Sequence, residues 1–197
     1  MYMYREDIFR NVIAVSNRKL CTRPFLEQIE IVCRYNPQAL ILREKDLSER
    51  EYEQLGKEVK EICEKYGVIC IYHTFYKAAE KAGVRNIHLP LWQLEKLDES
   101  YKQKKFDFIG ASIHSVEEAR KAEKLGASYI TAGHIYKTGC KPDLPPRGLG
   151  FLREVCQSVN IPVYAIGGIH LEKLQLAEIY EAGARGACIM SAFMSMT

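Results

Sequence analysis

The sequence predicts a (β/α)8 TIM barrel with a truncated final helix, formed as a single domain over residues 1–197. Three observations predict it. Eight short apolar runs alternate with helical runs along the whole chain. Strands that are apolar on both faces and alternate with helices imply a parallel sheet with helices outside, and eight such units imply closure. Four helical runs end at a glycine followed closely by a strand, namely Gly67, Gly83, Gly126 and Gly183. Glycine takes the left-handed conformation that stops a helix. No GxGxxG follows the first strand, and the rival open doubly wound sheet seldom needs eight regular units.

The elements follow in order. Val12–Val15 reads as the first strand and 23–35 as a helix, with Pro24 where a first turn tolerates proline. Ala39–Leu42 is the second strand. Ser48 and Glu51 form a capping box, and Tyr52, Leu55, Val59, Ile62 and Tyr66 mark one helical face. Residues 68–71 form the third strand, 75–82 a short helix and 86–89 the fourth strand. Residues 92–103 are the least periodic part, with at most a short helix near Leu91–Lys96. Residues 108–112 form the fifth strand. Ser115 and Glu118 suggest a second capping box, opening a helix with Val116, Ala119, Ala122 and Leu125 on one side. Strands at 129–132, 162–166 and 187–190 alternate with helices at 149–159 and 171–182. Only Ser191–Thr197 follow the last strand, so the final helix is stunted. The N-terminal segment, or a second copy of the chain in a homodimer, is expected to cover that flank.

Composition narrows the classes. The 28 basic and 25 acidic residues leave a net charge of +3, too even to imply nucleic acid. No apolar run approaches the roughly 18–20 residues of a membrane span, and the first residues lack a signal pattern. The seven cysteines are odd in number, form no CxxC pair and fall mostly inside helix or strand patterns. Cysteine there acts as a small hydrophobe, and a reducing cytoplasm is the expected compartment.

In such barrels the reacting groups sit at the C-terminal strand ends. Those ends offer Ser16, Asn17 and Arg18; Arg43, Glu44 and Lys45; His73; His88; Ser112 and His114; His134; Gly167 and Gly168; and Met190 and Ser191. The set is rich in His, Arg, Lys and Ser, with Glu44 its only carboxylate. That suits a phosphorylated ligand and proton transfer, and it does not suit a hard metal, which needs oxygen donors. The Ile166–Ile169 turn, with Met190 and Ser191 after the eighth strand, occupies the usual barrel phosphate position. Gly167 and Gly168 also suit a plain tight turn. His134 stands at the tip of the sixth strand, before a long loop carrying Thr138, Lys141 and Arg147. Strand-to-helix connections usually take about 2–6 residues, and longer ones are often functional. His134 suits acid–base work or, equally, a structural bond to backbone. The spacing of the strand-end histidines matches no zinc motif.

These segments together resemble the thiamin phosphate synthase/TenI superfamily over nearly the full length. The resemblance rests on Leu42-Arg43-Glu44-Lys45, His88-Leu89, Ser112-Ile113-His114-Ser115, the run from Gly133 to Lys141, Pro146-Arg147-Gly148-Leu149, Ile166-Gly167-Gly168-Ile169 and Ala182-Gly183-Ala184. The synthase branch couples a pyrimidine diphosphate to thiazole phosphate using magnesium. Its Asn-Asp-Arg after strand three is His73, Thr74 and Phe75 here. Its aspartate after strand four falls where Pro90, Leu91 and Trp92 stand, and its glutamine before the Leu-Arg-Glu-Lys is Ile41. The TenI branch has a histidine after the strand-six glycine, matched by His134, and a Thr-x-Cys-Lys loop, matched by Thr138, Cys140 and Lys141. The synthase-like lysine is retained as Lys45.

The resemblance implies a thiazole tautomerase. That enzyme converts a carboxythiazole phosphate tautomer to the aromatic ring, with no metal and no cofactor. It implies His134 as catalytic. Arg43, Lys45, Ser112, Thr138, Cys140 and Lys141 would bind the substrate, and Gly167, Gly168, Met190 and Ser191 its phosphate. Two alternatives stay open: a thiamin phosphate synthase, and a non-catalytic protein that only binds thiazole phosphate.

Overall fold

The computed structural model describes residues 11–139 and 142–196. Among them eight strands pair in parallel, each with its neighbour in sequence: β1 (Val12–Val15), β2 (Ala39–Leu42), β3 (Ile69–His73), β4 (Asn86–Pro90), β5 (Phe108–Ile113), β6 (Tyr129–Gly133), β7 (Val163–Ile166) and β8 (Gly186–Ile189). β8 closes the barrel on β1, with Ile13 beside Cys188. The expected fold is the observed one.

The strands form where both faces find apolar neighbours. One face looks into the barrel, where Ile13, Val15, Ile41, Ile71, Tyr129, Tyr164 and Cys188 form an inner cluster. The other face packs on the helices, with Val12, Ala14, Leu40 and Leu42 fully buried there. Tyr129 and Tyr164 meet edge to face inside the barrel, ring centroids 5.8 Å apart. Cys33, Cys63, Cys70 and Cys188 are buried free thiols, in keeping with their reading as small hydrophobes.

The helices are α1 (Phe25–Arg34), α2 (Glu49–Tyr66), α3 (Tyr76–Lys81), α4 (Leu91–Lys96), α5 (Glu99–Lys105), α6 (Val116–Lys124), α7 (Gly148–Ser158), α8 (Lys173–Glu181) and α9 (Ser191–Met194). Pro24 caps α1 rather than lying inside it. The capping box of α2 is complete: Ser48 N–H donates to the Glu51 carboxylate at 2.8 Å, and Glu51 N–H donates to Ser48 Oγ at 3.3 Å. Gly67 then ends α2 with φ +69°. At α6 only half of the expected box forms. Ser115 Oγ accepts from Glu118 N–H, but the Glu118 carboxylate accepts from His114 N–H, one residue earlier.

α5 was not legible as a helix. Asp98 caps it by accepting from Tyr101 N–H at 3.1 Å. Its buried residue is Lys102, 3 % exposed, whose ammonium donates to the Leu125 carbonyl at 2.6 Å. A lysine stem serves as the inward face, so the apolar periodicity is missing. The truncated last helix is observed as α9. It packs on α1, where Gln28 Nε2 donates to the Phe193 carbonyl at 2.7 Å. The N-terminal segment proposed for that flank lies outside the described residues.

Candidate functional site

The C-terminal strand ends surround a cavity of about 750 Å³. It is lined by Arg43, Lys45, Ser112, His134, Thr138, Gly167, Gly168, Met190 and Ser191, which are the sequence-derived candidates brought together. Cys140 and Lys141 lie outside the described residues. Arg147 does not line the cavity; its guanidinium sits 5.2 Å from the Phe151 ring centroid.

β1 and β2 set the cationic side. Glu44 is 2 % exposed, and its carboxylate turns away from the cavity. It accepts from Ser16 Oγ at 2.7 Å, from Arg18 N–H at 3.1 Å and from the Arg18 guanidinium at 3.1 Å. Ser16 Oγ in turn accepts from Arg43 N–H at 2.8 Å. The buried carboxylate thus ties the two strand ends together, while its neighbours Arg43 and Lys45 line the opening.

β3 to β6 set a polar floor. His73 and His88 stack with centroids 5.6 Å apart. His88 Nε2 lies 2.8 Å from Ser112 Oγ, and Thr131 Oγ1 is 3.4 Å from that Ser112 oxygen. His73 Nδ1 lies 2.6 Å from Thr74 Oγ1. Burial pushes the His88 imidazole down to about 3, helped by the Lys45 charge. Burial, then His88, Lys45 and Arg43, hold His73 well below the ordinary histidine range. Both rings are neutral near neutral pH and act there as polar structure.

His134 follows β6 through a cis peptide with Gly133 and is 6 % exposed. Its Nε2 lies 3.3 Å from the Leu144 carbonyl oxygen. Gly167 packs against its Cβ, and a side chain at Gly167 would overlap it. Gly167 and Gly168 have φ of +99° and +69°. A Cβ at Gly168 would strike the Tyr136–Lys137 backbone. The double glycine therefore lets β7 pass directly beneath the His134 loop. α8 starts only at Lys173, later than expected, so this turn does not lead straight into the helix.

The sequence missed several lining residues: Trp92, Glu95, Glu118, Thr131, Lys137 and His170. Thr131 was findable, since it alternates with Gly133 on β6 and shares its inward face. The two glutamates at the cavity are engaged: Glu95 pairs with Lys121 at 2.9 Å, and Glu118 accepts from His114 N–H at 2.5 Å. Among the described residues, no group of three or more His, Cys, Asp or Glu is placed to hold a metal ion.

The thiamine monophosphate synthase family (TMP-TENI) matches residues 12–193. The chain belongs to this family. The "Putative thiamine-phosphate synthase 2" of Aquifex aeolicus (strain VF5) is 37 % identical over 181 residues, covering 92 % of this chain and 96 % of that protein. The thiamine-phosphate synthase of Caldivirga maquilingensis is 37 % identical over 153 residues, covering 78 % of this chain and 73 % of that protein. The solved thiamine phosphate pyrophosphorylase of Pyrococcus furiosus superposes with a TM-score of 0.80 at 28 % identity, over 97 % of this chain and 90 % of that one. Membership in the family agrees with the expected superfamily. These three relatives are named for the synthase reaction, not for a tautomerase.

Proposed function

We propose that this member of the thiamine monophosphate synthase family is a thiazole tautomerase. Its substrate would be the non-aromatic tautomer of a carboxythiazole phosphate. One observation carries the reading: a buried histidine, His134, faces a cavity whose other charged walls are mainly cationic. The ring C2 proton of such a tautomer is acidified by the adjacent carboxylate, imine and sulfur. Its removal leads toward an aromatic ring, so the driving force lies in the substrate. The protein supplies one group that takes the proton and returns it to the exocyclic carbon, and histidine suits both halves.

The anionic groups of the substrate match the cationic side. Gly167, Gly168, Met190 and Ser191 hold the phosphate in this reading. Arg43, Lys45, Ser112 and Thr138 contact the ring and its carboxylate. Binding through these groups fixes the ring against His134 and converts the proton transfer into a positioned step.

A second reading is favoured by the names of the relatives: thiamine-phosphate synthase, a transferase. Magnesium in that reaction would be held by carboxylate oxygens. The donor set here does not fit it. Glu44 is turned into the β1–β2 contact, Glu95 is paired with Lys121, and Glu118 is bonded to backbone. The experiment that separates the readings presents purified protein with each substrate set in turn. Aromatisation of the carboxythiazole phosphate without metal carries the first. Formation of thiamine phosphate only with magnesium carries the second. Tight binding of the thiazole phosphate with neither reaction would mark a non-catalytic binding protein.

A further inference from the structure

His134 has two ring nitrogens, and the structure treats them differently. Nε2 faces the Leu144 carbonyl oxygen at 3.3 Å. A carbonyl only accepts, so the nitrogen facing it carries the proton. Nδ1 has no hydrogen-bond partner among the described residues. We propose that His134 moves the substrate proton through Nδ1, and that the Leu144 carbonyl is the positioning group that keeps Nε2 protonated. This inference deepens the tautomerase reading and rests on it.

The carbonyl is held relative to the histidine's own backbone. Pro145 and Pro146 follow Leu144 and restrict the chain by their fixed φ. Arg147 N–H then donates to the His134 carbonyl at 3.0 Å, and Gly148 N–H donates to the Ile135 carbonyl at 3.0 Å. The loop leaves at His134 and is fastened back to it. On the other side, Ile135 N–H donates to the Ile166 carbonyl and Tyr136 N–H to the Gly167 carbonyl, each at 3.0 Å. The ring is therefore set between the β7 turn and the loop, with the loop carrying its acceptor. The length of that connection acquires a purpose: it brings a backbone oxygen over the strand tip.

The step balances. The Nδ1 lone pair takes the proton from ring C2, and the C–H electron pair becomes the C2–N double bond. The imine pair moves to the ring carbon–carbon bond, and the exocyclic double bond collects the proton back from Nδ1. Nothing is oxidised and no group leaves. While protonated, the imidazolium has one N–H on Leu144 and one toward the substrate.

The test needs no ligand. Long-range proton–nitrogen NMR on histidine-labelled full-length protein reports the tautomer directly, at a pH above the ordinary histidine range. His134→Asn identifies the signals. The expected result is a protonated Nε2 and a bare Nδ1 at His134. His114, whose Nδ1 lies 2.8 Å from the Gly133 carbonyl, should show the opposite tautomer in the same spectrum. A protonated Nδ1 at His134, or an averaged pair, would overturn the proposal. Gly148→Ala tests the loop. Gly148 has φ +77° with open space around it, so alanine adds strain without collision. The expected outcome is a several-fold lower kcat at nearly constant KM, with tautomer averaging at His134. An unchanged tautomer in that variant, whatever its kcat, would remove the loop from the positioning role. Absence of turnover in the native protein would sink the functional reading, while the tautomer result stands on its own measurement.

Discussion

His88 and Tyr129 meet in the barrel interior directly over Gly110. His88 Nδ1 lies 3.1 Å from the Tyr129 phenol oxygen, and a Cβ at Gly110 would overlap both rings. The glycine therefore gives β5 the room that two bulky inward side chains from β4 and β6 require. Gly110→Ala should destabilise the barrel by about 1–3 kcal/mol, the usual range for overpacking. Urea denaturation measures it. An alanine variant as stable as the native chain would mean that the two rings have somewhere else to go.

His88 and the His73 ring stacked on it make the barrel acid-sensitive. His88 titrates at about 3 in the fold, and His73 well below its ordinary value of 6.5, both chiefly through burial. The unfolded chain takes up these protons near 6.5, so between the two values it binds more protons than the folded chain. Stability is then full above about pH 6.5 and falls as pH drops through that window, by about 1.4 kcal/mol per pH unit for each ring. Denaturation midpoints at neutral and mildly acid pH should show this slope. His88→Gln should flatten it by one ring's share, and a slope indifferent to that change would refute the assignment.

The strands could be read because both of their faces are apolar, as with Val12–Val15 and Ala39–Leu42. The strand tips followed, since the fold itself gathers them at one end. α5 escaped because Lys102 buries its stem where an apolar residue would have marked the face. The bond from His134 to Leu144 escaped for another reason. It depends on where a loop carbonyl comes to rest, and no side-chain pattern encodes that. The contacts of the histidines were also hidden: His73 stacks on His88 while His134 faces the Leu144 carbonyl and the cavity, and those contacts belong to the packed barrel.

Loss of phosphate binding is expected on substitution at Gly168. The sequence suggests charge repulsion for Gly168→Asp, and the structure adds a backbone reason. With φ +69° and the Tyr136–Lys137 backbone against it, the position resists any Cβ. Gly168→Ala should therefore already weaken binding of a thiazole phosphate, and Gly168→Asp should abolish it. Calorimetry on folded variants decides. Native affinity in both would place the phosphate elsewhere in the cavity.

Magnesium should be dispensable for the proton transfer, because the glutamates at the cavity are bonded to Lys121 and to backbone. Excess chelator should leave the rate unchanged, and added magnesium should not raise it. Activity lost in chelator and restored by magnesium would turn attention to the transferase reading.

The sharpest prediction concerns His134. Asparagine keeps a polar side chain of similar size but cannot carry the proton. His134→Asn should retain the fold, since the outer core between strands and helices does not include His134. Binding should survive in large part, because apart from Thr138 the groups proposed to hold the anions lie on or just after β2, β5, β7 and β8 rather than β6. Turnover should fall by roughly 10²–10⁴-fold, the usual worth of a positioned proton carrier. The loss should appear in kcat more than in KM, since only the transition state uses the transferred proton. If the protein merely binds thiazole phosphate, the native chain has no turnover to lose, and affinity alone will respond. If it is a synthase, the native chain makes thiamine phosphate with magnesium. A variant as fast as the native enzyme would take His134 out of the mechanism. His114 would then be the next group to test, since it lines the same cavity with its Nδ1 fixed on the Gly133 carbonyl.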